Sequence, residues 1–485
     1  MGKTSDIIEG NSSVIRQYIN GAWVDADEKR TFDVHNPATG QILASVPASG
    51  TAETRRAIEA ASNAFATWSQ MTAKQRAIPL RKVADLMRSR QQALARLIAL
   101  EEGKPIAESA GEVNYAADFL SFFAEEAQRV GGETIPSHLP NKRLWTIKQP
   151  IGVAGLITIW NFPAAGITRP LAAALAAGCT AVVKPAEQTP LSAIAIFELF
   201  EEAGLPAGVA NLVTAIDPAP IGREMLENPL VRKISFTGST EIGRTLMRGA
   251  ADQIKRITLE LGGHAPLIVF DDADIELAVN GAIASKFRNS GQTCVAVNRI
   301  YVHESIYPRF VERFVELCKA LKVGNPLDES VRVGPLIDKA ALEKIESHVA
   351  DAMSRGAKIL IGGKRMNGLF FEPTVLVQVK PDMLIMREET FGPVVPIVSF
   401  RGEDEVIAVA NELPQGLAAY FYTRDANRCS RLVEKLQYGI VGVNDSLPGA
   451  VHVPFGGIKQ SGIGKEGGRM GLEEFLDTKF VSMLQ

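Results

Sequence analysis

The chain has 485 residues, 46% of them hydrophobic and 22% charged, which is the balance of a folded protein with large cores and excludes a disordered or fibrous one. Lysine plus arginine number 52 and aspartate plus glutamate 55, so the formal net charge of −3 argues against nucleic-acid binding through a basic surface. At roughly 100–200 residues per domain, two or three domains are expected.

The N-terminal MGKTSDIIEG carries Asp6 and Glu9 and no apolar core, so no secretory leader is expected. Apolar spacing of three to four residues predicts one helical stretch through Ile58, Ala61, Phe65 and Trp68, and another through Val83, Leu86, Met87, Leu94, Leu97 and Ile98. The polar segment 129–148 alternates like a hairpin in KRLWTIKQ and is expected to be an arm that pairs with another subunit. The uncharged run Gln149–Thr168 has the length of a membrane span, but Pro150, Gly152, Gly155, Asn161 and Pro163 within it favour a buried strand and a loop.

From Gly152 short apolar strands alternate with helices: GVAGLITI, the helix LAAALAAG ending at Gly178, TAVV, a helix over Pro190–Ala203, VANLV, the helix PIGREML, KISF, a helix from near Thr240, and RITL. After Gly263 come APLIVF, RIYV, KILIGG, PVVPIVSF, LAAYFYT and GIVGVN, with helices including Ile306–Leu321 and Glu403–Leu413. Such alternation predicts an α/β protein with two open parallel sheets, right-handed crossovers and a seam near LELGGH, 259–264. The C-terminal EEFLDTKFVSMLQ ends like a strand and is a second candidate arm. Cys179, Cys294, Cys318 and Cys429 form no CxxC, and the six histidines form no HxxxH or HExxH. No metal is therefore expected, and a reducing compartment, the cytoplasm, is.

Five segments carry candidate chemistry. In NSGQTC, 289–294, Cys294 closes a small loop after a helix, as either an accessible nucleophile or a structural thiol. Glu260 sits between Leu259 and Leu261 at a strand end; an apolar setting would raise its pKa and suit a general base, whereas a surface carboxylate would do nothing. FTGSTEIG, 236–243, runs from strand to helix with G-x-x-x-x-G spacing, a phosphate loop or a plain capped helix start. Lys184 and Glu187 in VVKPAEQTP follow a strand and are placed for ribose hydroxyls, or form an ordinary surface loop. Asn161 in IWNFP offers an amide donor to an oxyanion, or is a turn residue.

Taken together, WNFP, KPAEQTP, FTGSTEIG, LELGG, GQTC, EETFGP (388–393) and PFGGIKQSG (454–462) resemble the aldehyde dehydrogenase superfamily in order and spacing, from about residue 18 to the C-terminus. The resemblance is strongest to its succinate-semialdehyde branch, in FFAEEAQRVGGETIP, IASKFRNSGQTC and PFGGIKQSGIGKEGG. It implies the fold of that superfamily: two Rossmann-like open-sheet domains and a β oligomerisation arm. The implied boundaries are 1–128 with 149–259 for binding NAD, 260–456 for catalysis, and 129–148 with 470–485 for the arm.

The resemblance also implies roles. Cys294 is the nucleophile, Asn161 the oxyanion donor, Glu260 the hydrolytic base and Glu466 a second, proton-relaying acid. Trp160, Lys184, Glu187, Gly238, Ser239, Glu389 and Phe391 bind the cofactor. NAD is preferred because the Glu187 carboxylate would repel a 2′-phosphate, with NADP as the alternative. Arg169 and Arg288 stand where the branch binds a substrate carboxylate. The expected partners are an aldehyde substrate and further copies in a homodimer or homotetramer, with no nucleic acid and no membrane.

Three departures stand out. Pro448, Gly449 and Ala450 occupy the loop where the branch carries a serine, which sets a longer aldehyde acid such as glutarate or oxoglutarate semialdehyde beside the expected substrate, a carboxylated semialdehyde such as succinate semialdehyde, as the alternative. Ala296 replaces a second cysteine, and His264 follows ELGG. Glu260 argues against a CoA-acylating enzyme, the cofactor loops against a thiol hydrolase, and intact Cys294, Glu260 and Asn161 against a non-catalytic homologue. Neutral and aromatic aldehydes remain alternative substrates.

Overall fold

A computed structural model describes residues 4–10 and 13–485. Five strands form the parallel centre of an eight-stranded sheet, in the order Arg256–Glu260, Val231–Thr237, Val153–Ile157, Thr180–Lys184 and Ala210–Leu212. Gly462–Ile463 adds an antiparallel edge beside Arg256–Glu260, and Gln17–Ile19 with Ala22–Val24 closes the opposite edge. Val153–Ile157 and Thr180–Lys184 are apolar and buried almost throughout because helices cover both faces.

The second sheet has seven strands, ordered Lys358–Ile361, Thr374–Val377, Val394–Phe400, Val297–His303, Ala265–Val269, Ala418–Tyr422 and Ile440–Val443. All neighbours are parallel except the first pair. Sheet membership changes between Glu260 and Ala265, within the segment where the seam is expected.

The helical region differs from the sequence pattern in two ways. The expected stretch from Val83 to Ile98 is two helices, Ala73–Ser89 and Gln91–Glu101, broken at Arg90 with φ −110° and ψ 21°. Ser89 Oγ donates to the Leu86 carbonyl at 2.9 Å, a local bond that competes with the helical ladder. A third helix, Ile106–Glu126, follows, and its buried face of Val113, Ala116, Phe119, Leu120 and Phe123 packs on Ala165–Ala177. No helix among the described residues is long and apolar enough to cross a membrane.

The two arm-like segments pair with each other. Lys142–Pro150 and Leu476–Leu484 run antiparallel from Leu476 opposite Pro150 to Leu484 opposite Lys142, with Thr134–Ile135 on the far side of Lys142–Pro150. The strands are narrower than the segments expected, since residues up to Arg129 finish a helical turn and Gly468–Glu473 is helical.

Candidate active site

The first sheet places three chemical groups at one edge. Ile157 lies opposite Phe236 and Thr237 opposite Glu260, so three adjacent strands end together. Chain order reverses between Val153–Ile157 and Val231–Thr237, which makes their carboxyl ends a topological switch point, the usual ligand crevice of an open α/β sheet. Trp160 and Asn161 follow the first strand, Gly238 and Ser239 the second, and Glu260 ends the third.

The loop carrying Cys294 is held in a conformation the chain would not choose alone. Asn289 and Ser290 have φ of 49° and 56°, and each such non-glycine residue costs of order 1–3 kcal/mol. Glu108 Oε2 accepts the Asn289 backbone N–H at 2.7 Å, Glu102 Oε1 accepts its side-chain amide at 2.7 Å, and Ser290 Oγ donates to the Gly334 carbonyl at 3.0 Å. Gly291 has φ 78°, and a Cβ there would stand 2.2 Å from the Gly392 carbonyl oxygen. The GQTC loop is therefore pressed against the EETFGP segment, which carries Glu389 and Phe391.

Two cavities meet at Cys294. One, of about 490 Å³, is lined by Trp160, Gly238, Ser239, Glu389 and Phe391. The other, of about 340 Å³, is lined by Tyr115, Phe162, Arg169, Arg288, Pro448 and Gly449. Asn161, Thr237, Cys294 and Phe455 line both. Asn161 Nδ2 donates to the Gln292 carbonyl at 2.9 Å, which fixes its amide beside the thiol loop.

The electrostatics are those of a desolvated site. Burial pushes the Cys294 thiol up to about 12, against the pull of Arg169 and Arg288. Burial and the nearby Glu466 charge push Glu260 well above the usual carboxylate range, against Arg169 and Lys465. Neither Glu260 oxygen has a hydrogen-bond partner among the described residues. A Cβ at Gly456, where φ is 151°, would lie 2.3 Å from Glu260 Oε1, so the PFGG loop closes directly over that carboxyl. Glu466 takes a bond from Ser235 Oγ at 3.2 Å, and Arg169 Nε stands 2.5 Å from its Oε2.

The aldehyde dehydrogenase family profile matches residues 23–481. The chain belongs to the aldehyde dehydrogenase family. It is 55% identical to a glutarate-semialdehyde dehydrogenase of Pseudomonas putida, over 96% of each chain. It is 54% identical to an NADP(+) succinate-semialdehyde dehydrogenase of Escherichia coli, over 97% of this chain and 98% of that one. The crystal structure of a succinate-semialdehyde dehydrogenase from Burkholderia pseudomallei superposes with a TM-score of 0.96 at 51% identity, over 97% of this chain and 98% of that one.

In this aldehyde dehydrogenase the residues singled out in the sequence divide into groups. Cys294, Glu260 and Asn161 all line the first cavity, with Trp160, Gly238, Ser239, Glu389 and Phe391. The Trp160 and Phe391 rings meet edge-on at 5.5 Å, and Glu389 accepts the Gly263 N–H at 3.2 Å. Burial raises the Glu389 carboxyl to about 7. Lys184 and Glu187 do not line that cavity; they form an ion pair with each other at the end of Thr180–Lys184.

Cys294, either an accessible nucleophile or a structural thiol by sequence, is half-buried and lines both cavities. Arg169, which the resemblance makes a carboxylate receptor, lines the second cavity with Arg288, faces Glu466 and lies 4.4 Å over the Phe455 ring. Arg288 is less engaged: its Nε has no partner among the described residues, and its guanidinium lies 5.6 Å from the Phe162 ring centroid.

Some supporting residues carried no sequence signal. Lys104 and Glu112 form a fully buried ion pair. Lys104 Nζ also donates to the Asn161 carbonyl at 2.8 Å, and Glu112 Oε1 accepts the Ala164 and Ala165 N–H groups at 2.9 and 3.2 Å. His264, the unusual residue after ELGG, is buried, and its carbonyl accepts Arg299 Nη2 at 2.9 Å. Burial and the Arg299 charge hold its imidazole well below its ordinary pKa, so it is a neutral packing group.

Proposed function

We propose that this aldehyde dehydrogenase oxidises a short aliphatic aldehyde with a distal carboxylate, succinate semialdehyde or its one-carbon-longer homologue glutarate semialdehyde, to the dicarboxylate. The observation that carries this reading is the meeting of two cavities at Cys294, one of them lined by Arg169 and Arg288. Guanidinium groups suit a carboxylate because they offer paired donors. The names of the Pseudomonas putida and Escherichia coli relatives agree with that class.

The donor set of the larger cavity fits a nicotinamide dinucleotide. Gly238 and Ser239 stand at the N-terminus of the helix Thr240–Ala251, which suits the pyrophosphate. Glu389 suits the nicotinamide ribose, and Trp160 and Phe391 wall the ring site. When bound, the nicotinamide accepts a hydride from the substrate carbon. Lys184 and Glu187 are assigned to the adenosine ribose. Glu187 disfavours a 2′-phosphate, but its ion pair with Lys184 offsets that charge, so both NAD and NADP are accommodated.

The chain's own residues supply the rest. Cys294 releases its proton to solvent, its charge supported by Arg169 and Arg288, and attacks the aldehyde carbon as a thiolate, while Asn161 Nδ2 with the Cys294 N–H stabilises the oxyanion of the thiohemiacetal. After oxidation a thioester remains on Cys294. Glu260 draws a proton from water to hydrolyse it, and Glu466 passes that proton outward.

The exposed edge strand Leu476–Leu484, with Phe480 and Leu484 60% and 70% exposed, supports assembly into a homodimer or homotetramer through the arm. The four free thiols agree with a cytoplasmic location.

The test is reduction of NAD+ and NADP+ with succinate and glutarate semialdehydes against butanal and pentanal. A tenfold or greater advantage of the acids in kcat/KM, about 1.4 kcal/mol, with no turnover in Cys294→Ala, supports the reading. Equal or better use of the neutral aldehydes rejects it.

A further inference from the structure

The loop Leu447–Gly449, on one side of the 340 Å³ cavity, provides no side-chain hydroxyl. Arg169 is committed to Glu466, which leaves Arg288 as the less encumbered cation. The loop at Leu447–Gly449 lines the cavity without any hydroxyl, and the serine just before it, Ser446, is buried and bonded to Tyr422 Oη at 2.7 Å. Of the other hydroxyls in the lining, Thr237 stands at the strand end opposite Glu260, and Thr293 Oγ1 is turned back to the Arg288 carbonyl at 3.5 Å.

Tyr115, on the helix Ile106–Glu126, is placed differently. Its ring packs on Phe119, with centroids 4.7 Å apart, which fixes its direction. Its hydroxyl feels the charges of both Arg169 and Arg288 and also that of Cys294. A Cβ at Gly449 would have the Tyr115 hydroxyl as its nearest neighbour, at 3.9 Å, so the hydroxyl lies beside the loop in the cavity wall. Among the described residues no hydrogen bond engages it.

We propose that Tyr115 donates its hydroxyl to the distal carboxylate of the substrate and, with Arg288, sets the preference for acidic aldehydes from the helix side of the cavity. This rests on the carboxylated-aldehyde reading above.

The experiment compares wild type, Tyr115→Phe and Tyr115→Phe/Gly449→Ser. In each, the ratio of kcat/KM for glutarate semialdehyde over pentanal is measured. In Tyr115→Phe the ratio is expected to fall about tenfold, mainly through KM of the acid, as for loss of one hydrogen bond to a charged group. In the double variant it recovers at least threefold, because a serine side chain at Gly449 has room and faces the vacated position. An unchanged ratio in Tyr115→Phe overturns the proposal, and so does a parallel fall with both aldehydes, the mark of a packing role. A wild type with no preference for the acid rejects the underlying reading instead, whatever the variants do.

Discussion

Arg169 Nε and Glu466 Oε2 lie 2.5 Å apart on side chains that are only 11% and 4% exposed. The pair sets a carboxylate beside Glu260, and that like charge adds to burial in raising the Glu260 pKa. The arginine therefore bears on Glu260 both directly and through Glu466, as well as lining the 340 Å³ cavity.

Replacing Glu466 by glutamine removes the like charge and leaves Arg169 with an uncompensated positive one. Both changes favour ionised Glu260, so its pKa falls. The acid limb of the kcat–pH profile, where activity is lost as the base protonates, should move to lower pH. A limb that stays or moves upward would show that the two carboxyls are uncoupled.

Glu260→Gln should divide the reaction in two. The isosteric amide keeps the fit under Gly456 but cannot take a proton from water. We expect one equivalent of reduced cofactor per active site in a burst, followed by turnover slowed by about 10²–10⁴. Mass spectrometry should find the acyl group on Cys294. Undiminished steady turnover would assign the hydrolytic base elsewhere.

Lys104→Met should strip Glu112 of its buried counter-charge. Removing one partner of a buried ion pair costs about 3–5 kcal/mol, and both side chains here are 1% exposed. Denaturant unfolding should show that loss. The folded fraction should also have a reduced kcat, because Lys104 bonds the Asn161 carbonyl. A loss below about 1 kcal/mol would place the pair outside the supporting framework.

The groups that meet in the first cavity were legible because each sits in a short motif whose local geometry is encoded locally: GQTC in a tight loop, LELGG at a strand end, FTGS before a helix. The strand–helix alternation likewise announced both sheets, including the seam at 259–264. Their supports were not legible. Lys104 meets Asn161, and Asn289 meets Glu102 and Glu108, only through packing across long separations. Tyr115 and Phe119 sit on a helix whose stripe the sequence reading passed over. The break at Arg90 was hidden because the apolar stripe continues across it. The pairing of Arg169 with Glu466 was not legible either, because it joins residues almost 300 apart.

The lid over Glu260 consists of Phe455, Gly456 and Glu466, and the backbone N–H and C=O groups of Phe455 and Glu466 bond reciprocally at 2.6 and 2.7 Å. The strand Gly462–Ile463 then completes the edge of the first sheet, and Leu476–Leu484 fastens to Lys142–Pro150. On the ribosome these pieces emerge about 200 residues after the carboxylate they cover. A nascent chain thus carries its thiol and its base long before it carries their enclosure.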